Sequence, residues 1–367
     1  VTDGLFFGWR TALLLAAVFP LLPIIGGLLG TMRNRVANRT LAALLVVMVG
    51  IVMPYIIGFA GFYDQWRWIQ YLPISNELAA MPLLYLYMYA LTEGKWPDKG
   101  WRHSVPALLK VAITALLPAI YAVSETAGHF IAAALEITVE LVLLFGGVAY
   151  AVAAYRLLVR YRQALADVRS DDTLFASRWL GRALVAMGLT LAIAVPYKLA
   201  VLVYDVDYFG QMALYTVFAG FALYLGIEGW RHAALPFPLL SSLTPEPPTE
   251  GRDWKKLGEE WAEAARQGEW ALQPDLSLAD LARKLGTNTS YLSRGLNEGL
   301  GMNFSSFING LRSEIVATKL RDGSGQSLLD MALEAGFSSK PTFNRAFQSR
   351  FGKSPTAYRS SHVSIPE

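Results

Sequence analysis

The chain has 367 residues, 54% of them hydrophobic and only 17% charged, where roughly 25% charged is usual for soluble domains. It contains no cysteine, which excludes disulfides, thiolate metal sites and cysteine nucleophiles and fits a reducing compartment. The formal net charge of +3 is too small to argue nucleic-acid binding by itself, so the distribution of charge must carry any such case.

That distribution has two parts. Residues 1 to about 230 are dominated by Leu, Ala, Val, Ile, Phe and Tyr in long runs, near the roughly 20 residues that cross about 30 Å of hydrocarbon as a helix. In chain order they predict seven membrane helices, with approximate limits 9–30, 40–62, 75–91, 105–123, 130–155, 183–203 and 210–229. The first run lacks a cationic leader and is followed by further spans, so it is expected to be a span and not a cleaved signal peptide. The fourth carries Lys110 and Pro118.

Orientation follows from charge, because short cytoplasmic loops are enriched in Lys and Arg. Segments 31–39, 92–105 and 156–182 hold twelve such residues: Arg33, Arg35, Arg39, Lys95, Lys99, Arg102, Arg156, Arg160, Arg162, Arg169, Arg178 and Arg182. The alternate segments 1–10, 63–74, 124–129 and 204–209 hold only Arg10 and Arg67. The amino terminus is therefore expected outside and, with an odd number of spans, the carboxyl terminus in the cytoplasm. Trp66 and Trp68 fall near one interface, and Trp96, Trp101 and Trp230 near the other, as an aromatic belt requires.

Ionisable residues inside spans are costly and mark candidate functional sites. Glu77, Glu136, Glu140 and Lys198 fall in the outer halves of their spans. Glu136 and Glu140 are four apart and share a helix face. Lys198 would lie at a similar depth to Glu136, so these four residues form a candidate signal-sensing pocket. The alternative is that each snorkels or hydrogen-bonds within the bundle. Lys110, near the inner end of its span, reads as a snorkelling residue.

After the last span comes "ALPFPLLSSLTPEPPTEG", with five prolines between 236 and 248. Without apolar periodicity, residues 231–252 are expected to be an extended linker. From Asp253 helical spacing returns, with Trp254, Leu257, Trp261 and Ala264 or Ala265 on one face. A separate domain, 253–367, is expected to start there.

Within that domain the chain repeats itself. "SLADLARKLGTNTSYLSRGLNEGLG" (277–301) lies over "SLLDMALEAGFSSKPTFNRAFQSRFG" (327–352), with one gap in the turn. Each copy opens with Ser-x-x-Asp, a capping-box variant that marks a helix start. Each first helix stops at a glycine, Gly286 or Gly336, which tolerates the left-handed backbone of a helix end. A few turn residues and a second amphipathic helix follow. Two short helices joined in this way make a helix-turn-helix, whose second helix can enter a major groove. Between the copies, "FSSFINGLRSEIVATKL" (304–320) predicts a spacer helix about 25 Å long, suited to hold two reading heads about one DNA turn apart.

The ordered set "LADLARKLG", "YLSRGL", "INGLRSEIVATKL", "DMALEAGF", "FNRAFQSRFGKSP" and "AYR" resembles the DNA-binding domain of the AraC family of bacterial transcription regulators. The resemblance covers residues 253–360. It implies recognition helices at 288–298 and 340–350, with Ser290, Ser293 and Arg294 facing bases in the first, and Lys340, Pro341, Asn344 and Arg345 in the second. The sequence departs from the family at Gly295 and Leu296, where a larger residue and Phe are commoner. A mid-helix glycine costs about 1 kcal/mol relative to alanine, so the first head is expected to be the weaker. Between 275 and 360 there are eleven Lys/Arg against seven Asp/Glu, a modest excess for phosphate contact. Arg and Asn also have the chemistry to read guanine and adenine.

The expected architecture is therefore all-α: a seven-transmembrane helix bundle followed by a cytoplasmic domain with two helix-turn-helix motifs. The expected function is a membrane-bound one-component transcription regulator in the bacterial inner membrane. Its expected partners are double-stranded DNA, the lipid bilayer, a second copy of the chain and an unidentified signal ligand or membrane protein. No enzyme, cofactor or metal motif is present: His103, His129, His232 and His362 are scattered, and no Walker loop or nucleophile elbow occurs. Three alternatives stay open: a passive membrane anchor, a transporter or membrane enzyme with a regulatory tail, and cleavage in the tether that frees the DNA-binding part.

Overall fold

The structure, a computed structural model, describes residues 4–170, 177–203, 210–235, 237–240, 253–323 and 325–362. Among these residues all regular secondary structure is helical, and extended backbone pairs at an isolated bridge between Arg169 and Ser277. The chain divides into two compact units. One is Val1–Leu158 with Arg178–Leu239; the other is Val159–Ser177 with Leu240–Glu367.

In the first unit, α1 (Trp9–Val18) and α2 (Leu21–Gly30) share the first predicted span. They part at Phe19–Pro20, where proline has no amide proton to continue the ladder. Then come α3 (Arg35–Phe59), α4 (Ala80–Glu93), α5 (Val105–Val123), α6 (Glu125–Ala166), α7 (Ser177–Val203) and α8 (Met212–His232). Helices thus occupy all seven predicted places. Among the described residues, five stretches are long and apolar enough to cross a membrane: Trp9–Gly30, Arg35–Phe59, Gly100–Val123, Glu125–Ala166 and Met212–His232.

The third place falls short of that length. The 14 residues of α4 rise about 21 Å, because the chain before it runs extended and then makes a 3-10 turn at Glu77–Ala79. That extended segment lies on α3, where a Cβ at Gly50 would meet the Ile74 carbonyl oxygen at 2.5 Å. In the sixth place α7 has 27 residues, and its apolar stretch among the described residues is Trp179–Ala194. The fifth departs the other way: α6 has 42 residues, about 63 Å of helix, where 130–155 was expected.

The core of this unit joins Leu14 and Val18 of α1, Val52 and Ile56 of α3 and Ala219 of α8. Small residues bring the helices close: Gly27 faces the Trp230 ring and Gly229 faces Leu41, in each case with no room for a Cβ. At the end of α8, Asn34 donates its side-chain amide to the Ala233 and Leu235 carbonyls at 3.2 and 2.7 Å, and Asn38 donates to Ala233 at 3.1 Å. These bonds satisfy carbonyls that a helix end leaves without partners. The start of the expected linker is therefore held on this unit; residues 236 and 241–252 lie outside the described residues.

The second unit contains α9 (Trp254–Gln267), α10 (Leu278–Lys284), α11 (Thr289–Arg294), α12 (Phe304–Arg321), α13 (Leu328–Glu334), α14 (Lys340–Phe351) and α15 (Pro355–His362). The predicted spacer helix, α12, is the shared wall of two cores. Its first half gives Phe304, Phe307, Ile308 and Leu311 to a core with Leu278, Leu281, Leu292 and Leu296. Its second half gives Val316, Ala317 and Leu320 to a core with Met331, Phe337, Phe343 and Phe347.

Candidate DNA-binding interface

Each head starts from the serine cap that the sequence pattern predicts. The Ser277 hydroxyl accepts from the Asp280 amide at 3.2 Å while the Asp280 carboxylate accepts from the Ser277 amide at 3.3 Å, completing a capping box. The Ser277 hydroxyl also donates to that carboxylate at 2.6 Å, which holds Asp280 below the ordinary carboxylate range. Ser327 repeats the cap by accepting from the Asp330 amide at 3.1 Å. The two turns are made by Gly286 and Gly336, at φ +64° and +93°, where a side chain would be strained. Asn288 and Ser339 then cap α11 and α14 through their side-chain oxygens.

The second head presents its reading helix to the outside. In α14, Thr342, Phe343 and Phe347 face the core, whereas Lys340, Pro341, Asn344 and Arg345 are exposed. Lys340 and Asn344 are one turn apart, as are Pro341 and Arg345, so the four lie on adjoining strips of one surface. Pro341 falls in the first turn, where its missing amide proton costs nothing.

The first head is built differently, and two of its expected reading residues turn away. Ser293 is buried, 5% exposed, and its hydroxyl accepts from Asn297 at 3.3 Å. Arg294 forms a two-pronged pair with Glu298, at 2.8 and 3.1 Å, and its guanidinium lies over the Trp254 ring, 4.4 Å from the centroid. The Glu298 carboxylate raises the Arg294 pKa and is itself lowered by the guanidinium. Ser290 is half-buried beside exposed Thr289.

The cause is α9. Trp254 also packs on Tyr291, with ring centroids 5.8 Å apart, and the Trp261 ring sits where a Cβ at Gly295 would be, 2.5 Å away. A Cβ at Gly258 would meet the Gly295 carbonyl oxygen at 2.5 Å, and one at Gly299 would collide with the Trp254 carbonyl oxygen. Three glycines thus let α9 lie directly on the reading element, which continues past Arg294 as a π-wound turn, Gly295–Gly299. Gly295 therefore has a packing role against Trp261 that helix propensity alone leaves out. Gly295→Ala gains about 1 kcal/mol of helix propensity but drives a methyl into an indole, and overpacking costs about 1–3 kcal/mol. The variant is expected to lower the thermal midpoint of the second unit; an unchanged or raised midpoint would show that the α9 packing is slack. Two tryptophans spaced seven apart opposite three glycines were the available signal in the sequence.

The candidate sensing residues are brought together only in part. Glu77 pairs with Lys110, the residue expected to snorkel, which also donates to the Ser75 carbonyl at 3.2 Å. Glu77 and Glu140 line one cavity of about 50 Å³ with Ser75, Met48, Met81 and Tyr215, room for a few waters. Glu136 is exposed, one turn along α6 and outside that lining. The Lys198 side chain lies outside the described residues, so its expected proximity to Glu136 has no counterpart among them. No group of three His, Asp or Glu among the described residues is placed to hold a metal ion.

A helix-turn-helix domain family model matches residues 281–361. Over 93 residues the chain is 36% identical to an uncharacterized HTH-type transcriptional regulator of Staphylococcus aureus strain MSSA476, covering 25% of this chain and 12% of that protein. Over 90 residues it is 34% identical to the right origin-binding protein of Escherichia coli K12, covering 24% of this chain and 31% of that one. A solved structure, the C-terminal domain of the response regulator AraT from Geobacillus stearothermophilus, aligns with a TM-score of 0.26 and 29% identity, over 29% of this chain and 88% of that one. The chain therefore spans about an eighth of the length of the staphylococcal relative. With both heads capped, turned and packed as described, residues 281–361 are an AraC-type helix-turn-helix domain.

Proposed function

We propose that the chain is a membrane-bound one-component transcription regulator. Its first unit spans the bacterial inner membrane with the amino terminus outside, and its second binds DNA from the cytoplasmic side as a homodimer in response to an external or membrane-borne signal. The observation that carries this reading is the joining, in one chain, of a helix-turn-helix domain with exposed Lys340, Asn344 and Arg345 to five helices apolar and long enough to cross a bilayer. Large apolar side chains on α6 support it, with Phe130 and Phe145 75% and 70% exposed, a surface that suits lipid better than water. The twelve-to-two loop bias sets the orientation. Dimerisation is proposed because one domain has two heads and specificity grows with added half-sites.

Alkaline phosphatase fused after Arg67 is expected to be active and after Lys99 inactive; the opposite pattern would overturn the orientation. Selection from a random DNA pool by the full chain in detergent is expected to return one motif. No enrichment at low salt, even after enforced dimerisation, would overturn the DNA-binding role.

In the membrane unit the polar cluster around Glu77, Lys110 and Glu140 is the proposed signal-responsive centre. Lys110→Met leaves the mostly buried Glu77 carboxylate without that partner, which costs about 3–5 kcal/mol. Protein level in membranes is expected to fall severalfold and to recover in Glu77→Gln/Lys110→Met. Equal levels in the single and double variants would show that the pair carries no stability.

A further inference from the structure

The end of α6 and the residues after it belong to the DNA-binding unit, although spacing and charge place 156–182 in a loop between two membrane helices. The Val168 carbonyl accepts from the Leu278 amide at 3.0 Å. Ser170, only 2% exposed, donates its hydroxyl to the Leu276 carbonyl at 3.1 Å. Its own carbonyl accepts from the Asn309 side-chain amide at 2.7 Å and from the Ser305 hydroxyl at 3.4 Å. The Val168 side chain packs against the core of the first head.

These bonds have a structural logic. Leu278 is the first helical residue after the Ser277 cap, so its amide proton has no partner within α10; the Val168 carbonyl supplies one. Asn309 and Ser305 lie on α12, which also walls the second head. The same segment forms part of a cleft of about 790 Å³ that Arg162, Arg169 and Ser170 line together with Arg345 of the second reading helix. Burial pushes the Asp167 carboxyl up, with a hydrogen bond from Asn297 opposing it, as expected for a residue held at this surface.

We infer that residues 167–170 are a docking segment seated in a built site on the DNA-binding unit, and that α6 acts through it as a stiff strut setting the presentation of the two heads. The helix that ends at this dock begins at Glu125 in the membrane unit and runs without a break for 42 residues. A twist or shift of its membrane part therefore reaches the first head and α12 through hydrogen bonds, independently of the 231–252 linker. The coupling rests on the regulator reading above; the dock itself does not.

The absence of cysteine makes the test direct. In Ser170→Cys, in native membranes, maleimide is expected to label the thiol at least tenfold more slowly than in Ser349→Cys, whose position is exposed. Adding Asn309→Asp keeps an oxygen for Arg312, which donates to Asn309 at 3.2 Å, but sets an acceptor against the Ser170 carbonyl; labelling is expected to rise at least tenfold. Val168→Asp, which sets a charge against the core of the first head, is expected to do the same. If the thiol of the Ser170→Cys single variant were labelled within twofold of the rate for Ser349→Cys, the dock would be overturned.

For the coupling, one to four alanines inserted between Leu158 and Val159 turn the helix by about 100° each. Output from a promoter carrying the selected site is expected to change at least fivefold with one or two insertions and to return toward the starting level with four. Equal outputs for all four would overturn it. A promoter indifferent to deletion of 253–362 would strike the regulator reading and the coupling with it, while the labelling still decides the dock.

Discussion

Arg345→Ala in the full-length chain is expected to weaken binding to the selected duplex by about tenfold to a hundredfold, the 1–3 kcal/mol that a two-pronged arginine contact to a base provides. It is also expected to relax the selected motif at one position in the half-site that each copy of the second head reads. Arg345 and Asn344 are exposed neighbours on a helix whose opposite face is locked by Phe343 and Phe347, so truncation removes a reading group without loosening its support. Lys340→Ala is expected to weaken all sequences alike and to lower the salt dependence by about one counterion, as a phosphate contact does. Arg294→Ala is expected to leave the motif nearly intact, because its guanidinium is already occupied by Glu298 and Trp254. Random-pool selection with each variant reads all of this at once. Loss of readout with Arg294→Ala comparable to that with Arg345→Ala would mean that the first head rearranges on DNA to release its arginine.

The difference between the heads shows what sequence reasoning reached and where it stopped. The internal repeat, the Ser-x-x-Asp caps at 277 and 327 and the glycine stops at 286 and 336 are local signals, and the backbone carries each out. Direction of side chains around α11 is not local. It depends on α9, which approaches through Gly258, Gly295 and Gly299 and places aromatic rings on that helix. Read singly, Gly295 is a mid-helix flaw; read with Trp261 it is a point of close packing. The membrane unit repeats the lesson. Lys110 is legible as an ionisable residue near a helix end, but its pairing with Glu77 requires knowing that the chain before α4 runs extended along α3. The dock at 167–170 was invisible for a further reason: backbone carbonyls accept three of its bonds, and any residue there could offer them.

Arg312→Met is expected to be the most destabilising single change in the DNA-binding unit, by about 3–5 kcal/mol out of the roughly 5–15 kcal/mol typical of a domain. By periodicity Arg312 falls between Ile308 and Val316 on the apolar face of the spacer helix, and it is wholly buried there. Its guanidinium donates to the carbonyls of Ala271, Gln273 and Pro274 at 2.7, 2.6 and 3.2 Å and to the Asn309 side chain at 3.2 Å. Methionine fills much of the volume, so the cavity term is small; the loss comes from carbonyls stranded without donors, about 1–3 kcal/mol each. The turn these carbonyls belong to is also wedged from the other side. At Gly336, a Cβ would meet the Ala271 and Leu272 carbonyl oxygens at 2.7 Å, and Phe337 beside it lies 5.8 Å from the Arg312 guanidinium. The turn of the second head, the spacer helix and the segment 271–274 are thus one assembly, and Arg312 closes it. Arg312→Lys keeps a charge but not the planar fork that reaches three carbonyls together, so it should fall between. The thermal midpoint of DNA binding by the full chain is expected to drop by roughly 10–20 °C in Arg312→Met. Because this assembly also sets the separation of the heads, the surviving binding should tolerate half-sites one base pair closer or farther apart. A midpoint within about 2 °C of the parent, with spacing still strict, would show that the heads are held apart by their apolar cores alone.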